Sequence, residues 1–303
     1  MSPCLIAIPF SGCAGVNRVS LPPKTITHWE STMDESTGVH IEGITALVTG
    51  ANRGLGKAFV QELLDRGAQK VYAAARDTDT VDISDERVVP VRLDITSADA
   101  VESAAHRCAD VSLVINNAGA MLQTPFLAAP DTSSARIEME TNYFGTLTMC
   151  RAFAPVLADH NGGAVVNILS VVSWYAVPFN ASYCASKSAE WALTNALRVE
   201  LRAQGTLVVG VHAGFIDTDM AATVAQEKIS PRDVAAQGLE AVEHGRPEVL
   251  TDEWTRHVKA SVLTDQSTLY PDIQQQWDAD DSPWPAWAEG SRGGVFCTKS
   301  SAA

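Results

Sequence analysis

Cysteine is scarce in this sequence. Among 303 residues there are six, Cys4, Cys13, Cys108, Cys150, Cys184 and Cys297, and none forms a C-x-x-C pair. A disulfide-built scaffold and a ribbon-type zinc site are thereby excluded, so free thiols in a reducing compartment and no metal are expected. Long apolar runs are also missing. No stretch approaches the ~20 residues that cross a bilayer, so no membrane partner is expected. The apolar segment 4–10 is short and has no basic stretch before it, which makes a poor secretory signal. Positive charge is in deficit, with 22 Lys and Arg against 36 Asp and Glu and a formal charge of −14. Such a chain repels phosphate backbones, which excludes nucleic acid as a partner. No internal repeat is visible, so a solenoid is excluded. A cytoplasmic globular protein is the expectation.

Apolar residues make up 46% of the chain and charged ones 19%, enough to bury a core without disulfides or metals. Residues 1–42 hold Pro3, Pro9, Pro22 and Pro23 without sustained periodicity, and are expected to be an irregular extension in which Met33 is an alternative start. Residues 43–263 alternate between two textures. Short β-branched runs at 44–49, 70–75, 88–93, 111–115, 164–169, 207–211 and 248–250 are apolar on both faces, as buried parallel strands require. Between them, 55–66, 98–109, 134–159, 182–203 and 231–244 carry helical spacing. The alternation predicts right-handed βαβ units: a Rossmann-like, doubly wound α/β domain with a parallel sheet of about seven strands. Residues 264–303 are expected to be a partly disordered extension, or one that packs Trp277, Trp284 and Trp287 on the domain or a partner.

The first strand runs into Gly50-Ala51-Asn52-Arg53-Gly54-Leu55-Gly56, and a helix pattern begins at once. Gly50 lets the chain turn, Gly54 lets backbone approach a pyrophosphate, and Gly56 lets the helix lie close to the strand. The free N–H groups of the helix start then face the anion. An ordinary Gly-rich turn would look similar; its place after the first buried strand favours nucleotide binding.

Further along, Tyr183 and Lys187 stand four apart, on one face of a predicted helix. A free phenol titrates near pH 10, and a neighbouring ammonium favours the phenolate. Tyr183 then becomes a usable acid and base for a carbonyl/alcohol pair. Ser170 follows the fifth strand, thirteen residues before Tyr183, and Asn142 lies in the preceding long helix.

The G-x-x-x-G-x-G spacing of the turn resembles the nucleotide loop of the short-chain dehydrogenase/reductase family. So does the order and spacing of Asn142, Ser170, Tyr183 and Lys187, which matches that family's tetrad. Asn116-Asn117-Ala118-Gly119 matches its N-N-A-G motif, and Asp94, followed by Ile95, its adenine-contacting Asp. The resemblance covers about 43–263. It implies that Tyr183 exchanges a proton with the substrate oxygen, that Ser170 hydrogen-bonds that oxygen, that Lys187 lowers the Tyr183 pKa and holds the nicotinamide ribose, and that Asn142 supports a proton relay. It also places Asn117, Ala118 and Gly119, and Gly214, Ile216 and Thr218 after the sixth strand, at the cofactor, with Ala213 replacing the family's usual Pro. His212 is expected to be a satisfied strand-end residue.

An NAD site carries an acid about twenty residues after the glycines; here the position holds Arg76, after Ala75. Arg76 and Arg53 suit a 2′-phosphate, so NADP is expected, with NAD the alternative if Asp77 reaches the ribose. Val171, Val172, Trp174, Val177 and 219–230 are expected around a small or medium carbonyl or alcohol substrate, with Trp174 and Phe179 lining an apolar pocket or simply packing. The resemblance further implies a homodimer or homotetramer through the two long helices. A cofactor-binding regulatory or scaffold protein without turnover is the competing reading.

Overall fold

In the computed structural model, which describes residues 38–279, the apolar runs form strands that are buried on both sides in the middle of the sheet and partly exposed at its two edges. β1 (Thr45–Thr49), β2 (Lys70–Ala75), β3 (Val88–Arg92), β4 (Leu113–Asn116), β5 (Ala164–Ile168), β6 (Leu207–His212) and β7 (Glu248–Leu250) make one parallel sheet in the order β3-β2-β1-β4-β5-β6-β7. The expected seven-stranded doubly wound sheet is therefore present. Thr49 pairs with Ala74 on one side of β1, and Val48 with Ile115 on the other. The winding reverses between β1 and β4. Connections leave in opposite directions there and open a crevice beyond the strand ends, where ligands of such sheets bind.

Helices α1 (Gly54–Asp65) and α6 (Pro231–Glu243) cover one face through Phe59, Leu63 and Leu239, all fully buried. Helices α2 (Ala98–Arg107), α4 (Thr146–Asp159) and α5 (Ala181–Glu200) cover the other through Val101, Met149, Phe153 and Leu197.

The predicted helix 134–159 is not uniform. α3 (Ser133–Glu138) widens into a π-helical stretch, Met139–Gly145, before α4 resumes. Apolar spacing reads a 3.6-residue repeat and is blind to one wide turn. At its end Gly145 meets Ile95, where an added Cβ would lie 2.8 Å from Ile95 Cδ1.

Beyond α7 (Glu253–Ser261) the chain continues as α8 (Asp265–Thr268) and α9 (Tyr270–Ala279). Leu269 and Ile273 are buried against Val171, Val172 and Trp174, and Trp277 packs on Phe179 with ring centroids 5.1 Å apart. Of the alternatives for the C-terminal stretch, packing on the domain holds for its described part. The N-terminal extension up to residue 37, Met33, Cys4, Cys13, Cys297, Trp284 and Trp287 lie outside the described residues.

Candidate active site

The glycine turn shows why its residues are small. Gly50 has φ +64, a left-handed backbone that side chains disfavour. A Cβ on Gly56 would lie 2.1 Å from the Gly50 carbonyl oxygen, so α1 starts closer to β1 than any larger residue permits. Leu55 is buried beneath the turn. Thr218, across the crevice, lies 3.3 Å (Cγ2) from the place a Cβ on Gly54 would occupy. The expected phosphate turn and the expected nicotinamide segment therefore face each other.

The crevice is stitched by a residue that the sequence reading missed. Thr49 is buried, and its Oγ1 accepts the backbone N–H groups of Asn117 at 2.9 Å and Ala118 at 3.0 Å. Asn117 Nδ2 donates back to Thr49 O at 2.9 Å. β1 and the segment after β4 are thus locked at the point of reversal. Gly119 follows beside the tetrad, where a Cβ would be 3.2 Å from Asn142 Oδ1 and 3.9 Å from Lys187 Nζ.

Around the crevice mouth, Arg76 is exposed just past β2. Asp77 caps the short turn Thr78–Thr80, its carboxylate accepting the Asp79 N–H at 3.1 Å. Arg53 is exposed and pairs with Asp219 at 3.1 Å, while Asn52 donates to Thr80 Oγ1 at 3.0 Å. Asp94 accepts Thr96 Oγ1 at 2.7 Å and Thr96 N at 3.0 Å, and these bonds hold it below the usual carboxylate range. Ile95 behind it is buried. Gly214 donates its N–H to Asp252 at 2.9 Å, and Ile216 bridges to Ile229, so the 214–218 turn is fastened at both ends. Asp252, which also caps α7, was not foreseen.

The four tetrad candidates converge. Asn142, on the π-helical stretch, is wholly buried. Its Oδ1 accepts the Ala120 N–H at 2.8 Å, and its Nδ2 donates to Ala120 O at 2.9 Å and Ser186 Oγ at 2.8 Å. Ser170 caps a short turn after β5, its Oγ accepting Val172 N–H at 3.3 Å. Its hydroxyl acts on the Tyr183 phenol in the direction that favours the phenolate. Tyr183 and Lys187 sit one turn apart on α5, with Lys187 Nζ 5.9 Å from the Tyr183 ring centre. Burial pushes the Tyr183 phenol above its ordinary value; the Lys187 ammonium and the Ser170 hydroxyl act the other way. Lys187 Nζ donates to Ile168 O at 2.8 Å and contacts Glu190 Oε2 at 2.6 Å.

A family model described as short chain dehydrogenase matches residues 44–229. The chain belongs to the short-chain dehydrogenase family. A crystal structure of a short chain dehydrogenase from Burkholderia cenocepacia, in complex with NADP, superposes with a TM-score of 0.74 at 42% identity, covering 78% of this chain and 99% of that one. A family member from Burkholderia phymatum in complex with NAD shares the fold, with a TM-score of 0.68 at 23% identity over 81% of this chain and 98% of that one. The NADP-dependent 3-hydroxy acid dehydrogenase of Schizosaccharomyces pombe is 30% identical over 191 residues, 59% of this chain and 74% of that protein.

For a short-chain dehydrogenase the surroundings of the tetrad are informative. Val171, Val172 and Trp174 belong to the apolar cluster against which Tyr183 packs. They are buried with α7 and α9, and Trp174 stacks on His212 at 4.0 Å. Another apolar wall stands nearby, formed by Val177, Phe179, Phe215, Val224, Met121 and Trp277. His212 is only half satisfied. Nδ1 contacts Ser170 O at 3.1 Å, while Nε2 has no hydrogen-bond partner. Glu138, also unforeseen, is fully buried; its Oε1 accepts the Leu122 N–H at 2.6 Å and fixes the loop after Gly119. Among the described residues no helix is long and apolar enough to cross a membrane, and no cluster of His, Cys, Asp and Glu could hold a metal ion.

Proposed function

We propose that this protein is an NADP(H)-dependent oxidoreductase that interconverts a carbonyl and an alcohol, with Asn142, Ser170, Tyr183 and Lys187 as its working set. The observation that carries the reading is the convergence of Ser170, Tyr183 and Lys187 beside the β1–β4 crevice. The crevice fits a dinucleotide. A Cβ at Gly56 would strike Gly50 O, so the turn is a cradle that only glycine permits. Gly50, Asn52, Arg53, Gly54, Leu55 and Gly56 would hold the pyrophosphate side, Asp94 and Ile95 the adenine, and Asn117, Ala118 and Gly119 the floor. Gly214, Ile216 and Thr218 would flank the nicotinamide. Exposed Arg76, with Asp77 engaged in its own turn, favours a 2′-phosphate. The NADP-bound Burkholderia cenocepacia structure and the NADP-dependent yeast relative support the same choice over NAD.

When bound, the nicotinamide supplies or accepts the hydride. The chain does the rest. Ser170 donates a hydrogen bond to the substrate oxygen and stabilises the charge that develops there. In reduction Tyr183 gives its phenolic proton to that oxygen; in oxidation its phenolate takes the proton back. Lys187 favours the phenolate by proximity of its positive charge and would hold the ribose hydroxyls. Asn142, clamped to Ala120 and Ser186, supports the proton path toward Lys187. The wall of Val177, Phe179, Phe215 and Trp277 favours a substrate with an apolar body. Assembly as a homodimer or homotetramer is supported by exposed Ile137 and Phe144 on the 133–159 helical run and Val199 on α5.

The test follows NADPH absorbance with ketones, aldehydes and quinones. Tyr183→Phe is expected to lose about a hundred- to ten-thousand-fold in turnover while still binding NADPH. Arg76→Asp is expected to shift preference toward NADH. Wild-type protein no faster than Tyr183→Phe on every substrate overturns the enzyme reading, and would favour a cofactor-binding regulatory protein.

A further inference from the structure

The tetrad does not account for Glu190. It lies on α5 three residues after Lys187, and it is 1% exposed, deep behind the site. Its Oε2 is 2.6 Å from Lys187 Nζ, and its Oε1 accepts Thr146 Oγ1 at 3.1 Å. A carboxylate taken so completely out of water is costly unless it is paired and hydrogen-bonded. Here both oxygens are used, one on a charge and one on a hydroxyl. The surroundings are as closed. Thr194 Oγ1 donates to Glu190 O at 2.8 Å and accepts Asn167 Nδ2 at 3.0 Å; Asn167 Oδ1 accepts Asn116 Nδ2 at 2.9 Å. A polar column thus runs from the sheet centre to the backbone carbonyl of Glu190.

We propose that Glu190 is a positioning residue of the active site, a buried counter-charge that keeps Lys187 an ammonium and aims its Nζ beneath Tyr183. This rests on the reading of the tetrad given above. The geometry decides the direction of the effect. Lys187 is buried, and apart from Glu190 its nearest named acceptor is the Ile168 carbonyl. A neutral acceptor alone does not offset burial of an ammonium. Burial acts to discharge Lys187; Glu190, with a smaller push from Tyr183, reverses this and leaves the ammonium above its ordinary value, while burial pushes the Glu190 carboxyl up against the pull of Lys187 and Thr146. The titratable groups facing the pair are few. Tyr183 comes from α5. Cys150 comes from α4, its thiol pushed up to about 12 by burial and so uncharged near neutrality. Cys184 lies on the Tyr183 side, and burial likewise pushes it up to about 12.

A helical Lys-x-x-Glu pair on a surface would be an ordinary weak ion pair. Burial is what turns it into part of the site. The ammonium then stays charged across the pH range in which Tyr183 must exchange its proton. Without the carboxylate the same lysine becomes a titrating group inside the working range.

The experiment titrates the intact protein without cofactor by NMR of ε-13C-labelled lysine, with Lys187→Met assigning the Lys187 signal. In wild type that signal is expected to remain that of an ammonium up to at least about pH 10. In Glu190→Gln it is expected to titrate lower by about one pH unit or more. Glu190→Asp, which keeps the charge, is expected to restore most of the difference. A merely structural role would lower the melting temperature and leave the Lys187 titration in place, and that result overturns the inference. Should Glu190→Gln fail to fold, a wild-type Lys187 that discharges below its ordinary value overturns it equally. Failure of wild type to bind or oxidise NADPH would overturn the reading of the tetrad instead. The cofactor-free titration still decides the part played by Glu190.

Discussion

His212 ends β6 in full burial, stacked on Trp174, with Glu248 the nearest carboxylate at 3.7 Å. Burial pushes the imidazole down to about 4, against the bond to Ser170 O and the Glu248 charge that favour its protonated form. The unfolded chain therefore binds more protons than the folded one between about pH 6.5 and 4. Stability rises with pH across that window and is lost as pH falls through it. The largest loss from this one group is about 3 kcal/mol by pH 4. Chemical denaturation at pH 7 and pH 4.5 is expected to show the difference, and His212→Gln to reduce it. A variant whose pH dependence matches wild type would deny His212 the role. The ring lies against the backbone carbonyl of Ser170 and the Trp174 indole. What the sequence did not show is that one of its ring nitrogens would lack a hydrogen-bond partner. Direction of the side chain depends on Trp174 and on α7 beyond it.

At the scale of elements, the start of α1 against β1 is the tightest joint of the crevice. An added Cβ at Gly56 meets Gly50 O at 2.1 Å and Asn117 Nδ2 at 2.6 Å. Gly56→Ala gains about 1 kcal/mol of helix propensity. Overpacking against backbone costs typically 1–3 kcal/mol, and here no flexible side-chain end can yield on the Gly50 side, so about 2–3 kcal/mol is expected and the clash wins. The expected outcome is a net loss of about 1–2 kcal/mol in urea denaturation and weaker NADPH binding, because α1 must lift from the sheet. Unchanged stability and binding would mean that the turn relaxes freely. The glycine spacing made this joint readable in advance, since each glycine answers a local need. The π-helical stretch carrying Asn142 was not readable. Its widened turn preserves the apolar pattern on either side, and only the contact of Gly145 with Ile95 and the clamp on Ala120 reveal it.

For the whole molecule, a charge of −14 keeps copies apart in general, so association needs a specific apolar face. Ile137 is 50% exposed, Phe144 46% and Val199 76%, all on long helical segments. Light scattering is expected to give the mass of a dimer or tetramer, and Phe144→Asp to lower it toward the monomer. A monomeric wild type would remove assembly from the proposed function. The C-terminal helices add a second effect at this scale. Tyr270 OH accepts the Ala176 N–H at 3.2 Å, and Leu269 and Ile273 cover the turn after Ser170.

By itself the sequence determined the alternating layers, the glycine turn and the order of Asn142, Ser170, Tyr183 and Lys187. These are local matters: periodicity, backbone freedom and spacing along one helix face. Tertiary structure alone decided which polar groups lose their water. Thr49 became the stitch between β1 and the loop after β4 because two backbone N–H groups from a distant strand end reach its hydroxyl. Glu190 became a partner of Lys187 rather than a solvated helix charge because α4 and the sheet close over it. Burial comes from residues far apart in the chain, and no short window of sequence contains it.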